Sequence, residues 1–398
     1  MIRAPSRFIL AALLFTLGLS AASCRQQAVS ADAARQTPAK DPQAVTPAPP
    51  PEVAFDRELT DTARALAGLG PSGSEKVTAV VAQPAWQQWF KEFDTQWTKA
   101  TTDRIALIST WRDQEVTPVT GTCDTLMYPF AGPDALNAVL FFPGCRRYVM
   151  FGLEPPGSMP AIDQLPPARL ARLFEETRRA LNDLLERNYF ITSRMTQDTT
   201  GRELRGTVPL MALFLARLDA RLINITPIEI AEDGMLRRAS GTQRSPKAAA
   251  AVEMVFVRPG EQPQTIEYFR APIQDEKLPE SPGVIPHLKQ FSSYPMFLKS
   301  ASYLLHGSEF SVLRKVLLEG SRVILQDDSG LPLQFLKAPT WQVTLYGRYT
   351  KPVKDFNYGY QTDLAALYDT GKGVKPLPFS FGYHWKDGFS AVQIAVRK

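Results

Sequence analysis

Hydrophobic residues recur along this chain with two different periods, which predict helices in some segments and strands in others. After Pro84 the aromatic residues are spaced by three and four, as on one face of a helix: Trp86, Trp89, Phe90, Phe93 and Trp97. Apolar residues in 170–185 repeat in the same way behind Pro166-Pro167. Residues 222–230 carry alternating β-branched side chains, which indicates a strand. The aromatic face favours burial in a core over a ligand platform, since rings are the largest apolar groups a helix can bury.

The rest of the pattern predicts an α/β fold. Two apolar runs, residues 126–130 and 148–153, flank a helical pattern at residues 134–142, which is typical of a βαβ unit. Further runs predict a hairpin from residues 252–258 and 265–269, a strand at residues 341–345, and a closing hairpin from residues 379–385 and 391–396. We therefore expect a mixed β-sheet with flanking helices in one globular body over residues 53–398, with an α+β arrangement as the alternative.

The stretch 299–330 is the first candidate for a functional site. Together with residues 296–298 it predicts two short helices, ended by Gly307 and Gly320, and then a buried strand that leads into Asp327-Asp328. Two adjacent carboxylates at a strand end lie where a pocket forms in an α/β sheet. The alternative, which we favour, is that Asp-Asp-Ser-Gly is ordinary turn chemistry.

A catalytic role would make Asp327 or Asp328 a general acid or base. His306, Lys299 or Arg314 would then lie near the carboxyl and set its pKa. Successive side chains of a strand point to opposite faces, so at most one of the two acids would enter a given pocket.

A second candidate is the aromatic region that follows. Trp341 begins a predicted strand, and Tyr346 and Tyr349 open a dense aromatic cluster that continues through Phe356, Tyr358 and Tyr360. Such rings, with lysines between them, stack on sugars in glycan-binding surfaces, or else they fill a core. The pattern favours burial, and binding of a glycan remains the alternative.

Composition and charge remove several classes of function. With 44% apolar residues among 398, the chain is not disordered as a whole. The formal charge of +5 is spread over 45 basic and 40 acidic residues, so there is no basic block for nucleic acid. The three histidines are far apart in sequence and no phosphate-binding glycine loop is present, so we expect no metal and no cofactor.

The N-terminus has the features of an export signal. Arg3 and Arg7 precede an apolar run, and small residues lead into Cys24. Residues 1–23 resemble the signal peptide of a bacterial lipoprotein, in which the cysteine is acylated and becomes the mature N-terminus. That family usually has Leu where this chain has Ala21. The alternative is a secretory signal cleaved near Ala22, which would leave Cys24 as a thiol.

The resemblance implies a location and a tether. Arg25 follows the cysteine in place of the Asp that marks retention at the inner membrane in enterobacterial lipoproteins, so we expect the outer membrane, facing the periplasm. Residues 24–52 are rich in Ala, Gln and Pro and predict a disordered linker. Cys123 and Cys145 are the cysteines left in the body, and an exported protein meets an oxidising compartment, so we expect a disulfide, with two buried thiols as the alternative.

Three sequence segments of the body resemble parts of exported bacterial proteins of unknown function: FAGPDALNAVLFFPGCRRYVMFGLEP, KSASYLLHGSEFSVLRKVLLEGSRVILQDDSG and PFSFGYHW. This resemblance implies one integrated fold and no particular substrate. The sequence therefore predicts a lipid-anchored envelope protein with a binding or structural role toward a glycan or a protein partner. The alternative is a periplasmic hydrolase that uses Asp327 or Asp328.

Overall fold

The computed structural model describes residues 53–187, 189, 201–239, 245–352, 354–384 and 390–398. The predicted signal peptide and linker, residues 1–52, lie outside this part of the chain. No helix within the described ranges has the length and apolar character needed to cross a membrane.

The described residues build one mixed sheet of ten strands, which confirms the predicted fold class. Its spatial order is β4-β3-β5-β6-β2-β1-β7-β8-β10-β9. The central strands β6, β2, β1, β7 and β8 run parallel, and both ends of the sheet are antiparallel. The strands are β1 (Thr125–Pro129), β2 (Arg147–Gly152), β3 (Arg221–Ile230), β4 (Leu236–Arg238), β5 (Ala249–Val257), β6 (Gln264–Arg270), β7 (Tyr294–Leu298), β8 (Ser321–Asp327), β9 (Trp341–Gly347) and β10 (Ala391–Arg397).

Helices cover both faces of this sheet. The two faces bury separate cores, because neighbouring residues of a strand point to opposite sides: Tyr128 belongs to one core and Met127 to the other. The α-helices in the described ranges are Arg57–Leu66, Glu75–Val81, Pro84–Ala100, Ala106–Trp111, Thr117–Thr120, Ala135–Phe141, Pro167–Arg187, Val208–Arg217, Val284–Leu288, Ser311–Gly320 and Thr362–Asp369.

Most of the predicted elements are confirmed. Trp86, Trp89 and Phe93 of the aromatic helix face are buried. The βαβ unit forms from β1, the helix Ala135–Phe141 and β2, which pairs parallel to β1. The disulfide joins Cys123 to Cys145, with the two Cα atoms 4.4 Å apart.

Two predictions in the late part of the chain were wrong. The first of the two helices predicted around residue 299 is strand β7, with Met296 in one core and Phe297 in the other. A strand buried on both faces has a continuous apolar run, which periodicity cannot separate from a short helix. The closing hairpin is not found among the described residues either: residues 379–384 contain no named strand, and β10 pairs with β8 on one side and β9 on the other.

The strand order places a crevice between β1 and β7. From β1 the chain adds β2 on one side and reaches β6 beyond it, whereas β7 and β8 are added on the other side of β1. The connection that leaves the carboxyl end of β1 therefore leads to one side of the sheet, and the connection that leaves the carboxyl end of β7 leads to the other side. In open α/β sheets this switch point is the usual place for a ligand.

Candidate ligand-binding site

A cavity of about 460 Å³ lies at the carboxyl edge of the parallel strands. Its volume falls within the range of about 300–1,000 Å³ that is typical of small-molecule sites. Four of the five central strands, β1, β2, β6 and β7, contribute residues that follow them. The lining includes Phe130 after β1, Glu154 after β2, Ile273 after β6, and Ser300, Leu304 and Phe310 after β7.

Glu154 brings a buried carboxyl to the wall of this cavity. The residue is 3% exposed, and its Oε2 accepts a hydrogen bond of 3.1 Å from the backbone N–H of Leu153. Among the described residues it forms no ion pair, and Arg270 acts on it only as a more distant charge. Burial raises the pKa of Glu154, although the backbone N–H groups oppose this effect.

The backbone beneath Glu154 is shaped for its carboxyl group. A Cβ atom on Gly152 would lie 2.6 Å from Oε2 of Glu154, so a side chain there would collide with the carboxyl. Gly132, which has φ +51°, borders the same carboxyl group from the loop after β1. Tyr268 on β6 donates its hydroxyl to the Glu154 backbone carbonyl at 2.9 Å. Three parallel strands thus fix this one side chain.

The loop after β7 forms another part of the wall and has an unusual backbone conformation. Ser300, Ser302 and Tyr303 have φ of 52°, 53° and 55°, in the left-handed region that non-glycine residues rarely adopt. The backbone N–H of Ser300 donates to Oδ2 of Asp327 at 2.8 Å. The Ser300 hydroxyl is buried without a hydrogen-bond partner among the described residues. Strained backbone of this kind is concentrated at functional sites.

Lys299 and Asp134 form a buried ion pair at the switch point itself. Nζ of Lys299 lies 2.5 Å from Oδ2 of Asp134, and both side chains are 2% exposed. The Tyr128 hydroxyl and the Asn137 amide also donate to the Asp134 carboxylate, at 2.9 Å each. Burial lowers the pKa of the Lys299 ammonium, and the charge of Asp134 opposes this shift. The pair joins the end of β1 to the end of β7.

Asp327 and Asp328 lie behind the cavity wall and are both buried. Asp327 accepts hydrogen bonds from the backbone of Ser300 and from Ser329, whose hydroxyl lies 2.5 Å from Oδ1. Asp328 accepts one from the Tyr303 hydroxyl at 2.5 Å. Neither acid contributes to the cavity lining, whereas Ser300 does. The turn interpretation accounts for these bonds, and a catalytic role for either acid stays a prediction.

The pKa of each acid is raised. Burial is the largest cause for both, and the charge of Asp328 further raises the pKa of Asp327. Hydrogen bonds from Ser329 and Tyr303 act in the opposite direction. Two carboxyl groups this close resist ionising together, so the pair retains a proton to higher pH than isolated aspartates would.

The structure brings His306 and Arg314 close to this acid pair. The ring of His306 stacks edge-on against Tyr303, with centroids 5.1 Å apart. Burial lowers the pKa of His306 to about 4, and the nearby charge of Arg314 adds to this effect. The Arg314 guanidinium donates to the backbone carbonyls of Leu305 and Gly307, at 2.7 Å each. Arg314 therefore holds the turn that carries His306.

The aromatic candidates lie in different places. Trp341 starts β9 and stacks on Arg397, at the opposite end of the sheet from Asp327. Tyr346 and Tyr349 are buried, and their hydroxyls bond to Glu115 and to the backbone N–H of Gln361. Tyr358 is 70% exposed. Its ring and that of Phe356 pack against Tyr303, which connects this part of the aromatic cluster to the acid pair. A binding role for the three predicted residues stays a prediction.

Sequence reasoning missed Glu154, the carboxyl that reaches the cavity. The signal was present, since Glu154 follows a buried run directly and precedes Pro155-Pro156, which end the strand. Burying an acid there lowers the free energy of unfolding unless the carboxyl is paired or hydrogen-bonded. The paired aspartates were predicted as site residues because they are adjacent in sequence, but adjacency in sequence does not place a carboxylate in a pocket.

The arrangement is suited to binding. Apolar side chains form most of the walls, and a few polar groups, Glu154 and Ser300 among them, also line the cavity. No group of three His, Cys, Asp or Glu side chains in the described ranges is placed to hold a metal ion.

No protein family, curated protein or solved structure matches this chain. Function is therefore inferred from the residues of the site itself.

Proposed function

We propose that this protein is a lipid-anchored binding protein of the bacterial cell envelope, which holds a small ligand in the cavity at the carboxyl edge of its parallel strands. The observation that carries the proposal is the position of that cavity. It lies beside the switch point between β1 and β7, where open α/β sheets bind their ligands. The mainly apolar lining with a few polar groups supports a small organic ligand.

The envelope location is supported by the resemblance of residues 1–23 to a lipoprotein signal and by the disulfide of the body. In this proposal Cys24 carries the lipid, and residues 25–52 are the tether to the body. A glycan or a protein partner would meet the exposed rings of Tyr358 and Tyr360, close to the same edge of the sheet.

The ligand proposal is tested by native mass spectrometry of protein released gently from membranes. We expect the wild type to carry an additional small-molecule mass. The variant Leu304→Trp places a large ring in the cavity wall and should lose that mass. Leu367→Trp is the matched control, because Leu367 is exposed on the helix Thr362–Asp369 and away from the cavity lining. Bound mass that survives in the Leu304 variant, or is absent from the wild type, contradicts the proposal.

The anchor has its own test. We expect Cys24→Ala to move the protein from the membrane fraction to the soluble periplasm, because the acylated thiol is lost. Fractionation of wild type and variant, followed by immunoblotting, measures this. A variant that still sediments fully with membranes would show that the lipid anchor has been assigned wrongly.

One observation favours a second candidate, a periplasmic hydrolase. The raised pKa of the Asp327–Asp328 pair suits general acid or base chemistry, and Ser300 links Asp327 to the cavity. Full burial of both acids weighs against it. The double variant Asp327→Asn/Asp328→Asn should then abolish any turnover of the ligand identified by mass spectrometry while the ligand still binds. If turnover continues, the hydrolase is excluded.

A further inference from the structure

The polar groups of the cavity narrow the class of ligand, on the condition that the proposed function is correct. Glu154 places a carboxyl in the wall with no ion pair among the described residues. A buried carboxylate is expensive unless a cation or several donors compensate it. Backbone N–H groups and the Tyr268 hydroxyl supply part of this compensation, but no cationic side chain of the described residues forms an ion pair with the carboxyl. A ligand that brings a positive charge would complete the site.

Lys277 supplies the opposite charge at another part of the lining. It is exposed, in the segment Asp275–Glu280 that follows β6, and it borders the same cavity. Its ammonium would repel a ligand that is only cationic. It favours a ligand that also has an anionic group, placed toward the exposed side of the cavity.

Apart from these two charges the lining is mainly apolar. Phe130, Ile273, Leu304 and Phe310 supply rings and branched side chains from three different strand ends. The hydroxyl of Ser300, which has no partner among the described residues, can accept from a ligand N–H or donate to a carbonyl. A ligand that has both hydrogen-bond donors and acceptors beside apolar side chains has the chemical features of a peptide.

We propose that the cavity binds an apolar dipeptide or a similar zwitterion, with its ammonium on Glu154, its apolar side chains against Phe130 and Phe310, and its carboxylate toward Lys277. The ammonium replaces the missing cation and forms a charge-assisted hydrogen bond in a buried setting. The carboxylate pairs with Lys277 in a more hydrated setting, where an ion pair contributes less.

The test uses leucyl-phenylalanine in three forms, measured by isothermal titration calorimetry: the free dipeptide, the N-acetylated dipeptide and the C-terminal amide. In the wild type, N-acetylation should weaken binding by roughly tenfold or more, because a hydrogen bond between charged groups is lost. Amidation should weaken it by only about two- to fivefold, because the pair with Lys277 is exposed.

Two variants assign these losses to residues. Glu154→Gln should weaken the free dipeptide and leave the N-acetylated form unchanged, and Lys277→Gln should remove the preference for the free carboxylate over the amide. Glu276→Gln is the control for Glu154→Gln, because it removes the same charge from an exposed residue next to Lys277 that does not line the cavity.

If Glu154→Gln does not fold, the wild type alone suffices. An analogue with a hydroxyl in place of the ammonium should then bind about as weakly as the N-acetylated form.

Equal binding of the free and N-acetylated dipeptides, or no binding of any form, overturns the zwitterion assignment. It leaves the proposed function intact if native mass spectrometry still finds a ligand that Leu304→Trp displaces. Loss of that displaceable ligand contradicts the proposed function separately. The two proposals therefore fail in different experiments.

Discussion

Asp327 and Asp328 show how burial changes the behaviour of two ordinary acids. Both have a folded-state pKa raised above the unfolded value of about 3.9. The stability that such groups contribute is fully present below the unfolded pKa and is lost as the pH rises through the raised folded pKa. His306 acts in the opposite direction, because its pKa is lowered to about 4 and stability is lost as the pH falls below about 6.5.

We expect Asp328→Asn to stabilise the protein at alkaline pH. The Asn carbonyl still accepts the hydrogen bond from Tyr303, and the charge next to Asp327 is gone. The gain in the free energy of unfolding over wild type should grow between about pH 4 and 8, reaching on the order of 1–3 kcal/mol. Urea denaturation across this range measures it, and the difference between the two proteins cancels the effect of His306.

The matched control is Asp369→Asn, which removes an exposed carboxylate at the end of a helix. Its difference from wild type should stay nearly constant with pH. A gain for Asp328→Asn that is equally constant would show that the folded protein does not raise the pKa values of the two buried acids.

At the residue scale, the sequence could predict which residue types were unusual but not which of them reach the cavity. Lys299 was singled out because of its neighbours in the chain, whereas its partner Asp134 was only the first residue of a predicted helix. The two lie more than a hundred residues apart in sequence, so their pairing depends on β1 and β7 being adjacent. No local pattern contains that information.

At the scale of elements, the loop after β7 is held by a close approach of two segments. Gly382 has φ +63°, and a Cβ atom on it would lie 2.0 Å from Oδ2 of Asp327. The Tyr383 hydroxyl next to it donates to the Ser300 carbonyl at 2.9 Å. The segment around Gly382 therefore covers the acid pair and fixes the left-handed turn that lines the cavity.

Replacing Gly382 by Ala should destabilise the protein by about 3 kcal/mol or more, because a positive φ and a steric collision act together. Gly371→Ala is the matched control, since Gly371 has φ +61° and nothing within 4 Å of the added Cβ. It should cost about 1–2 kcal/mol, the backbone term alone. Chemical denaturation of both variants gives the comparison. Equal costs would show that Gly382 does not press on the acid pair.

Element types were predictable where the period was clear. The alternation in β3 and the helical spacing after Pro84 identified both elements. The strand β7 was mistaken for a helix because its residues are buried on both faces, and a continuous apolar run has no period. The same mistake hid the left-handed loop, because Ser300 was assigned to a helix that does not exist.

At the scale of the whole molecule, strand order decides where the site lies. The sequence predicted a mixed sheet, but it could not place β7 next to β1, because the two are separated by β2 through β6. Strand order depends on which apolar faces match in three dimensions, and single-residue patterns do not specify that match. The switch point, and with it the cavity, was therefore found only in the structure.

The C-terminal strand gives the most direct test of this arrangement. β10 lies between β8 and β9 and supplies both with hydrogen bonds, so β9 has no other contact with the sheet through a named strand. Removing the last eight residues, 391–398, should abolish cooperative folding and leave insoluble or protease-sensitive protein. Removing Lys398 alone is the control, because it is exposed beyond the end of β10, and it should leave the thermal midpoint nearly unchanged. Limited proteolysis and circular dichroism of both truncations decide the matter. If the protein without β10 is soluble and protease-resistant, the prediction is wrong. The sheet would then be stable with β8 as its edge strand, and β9 and β10 would not be required for folding.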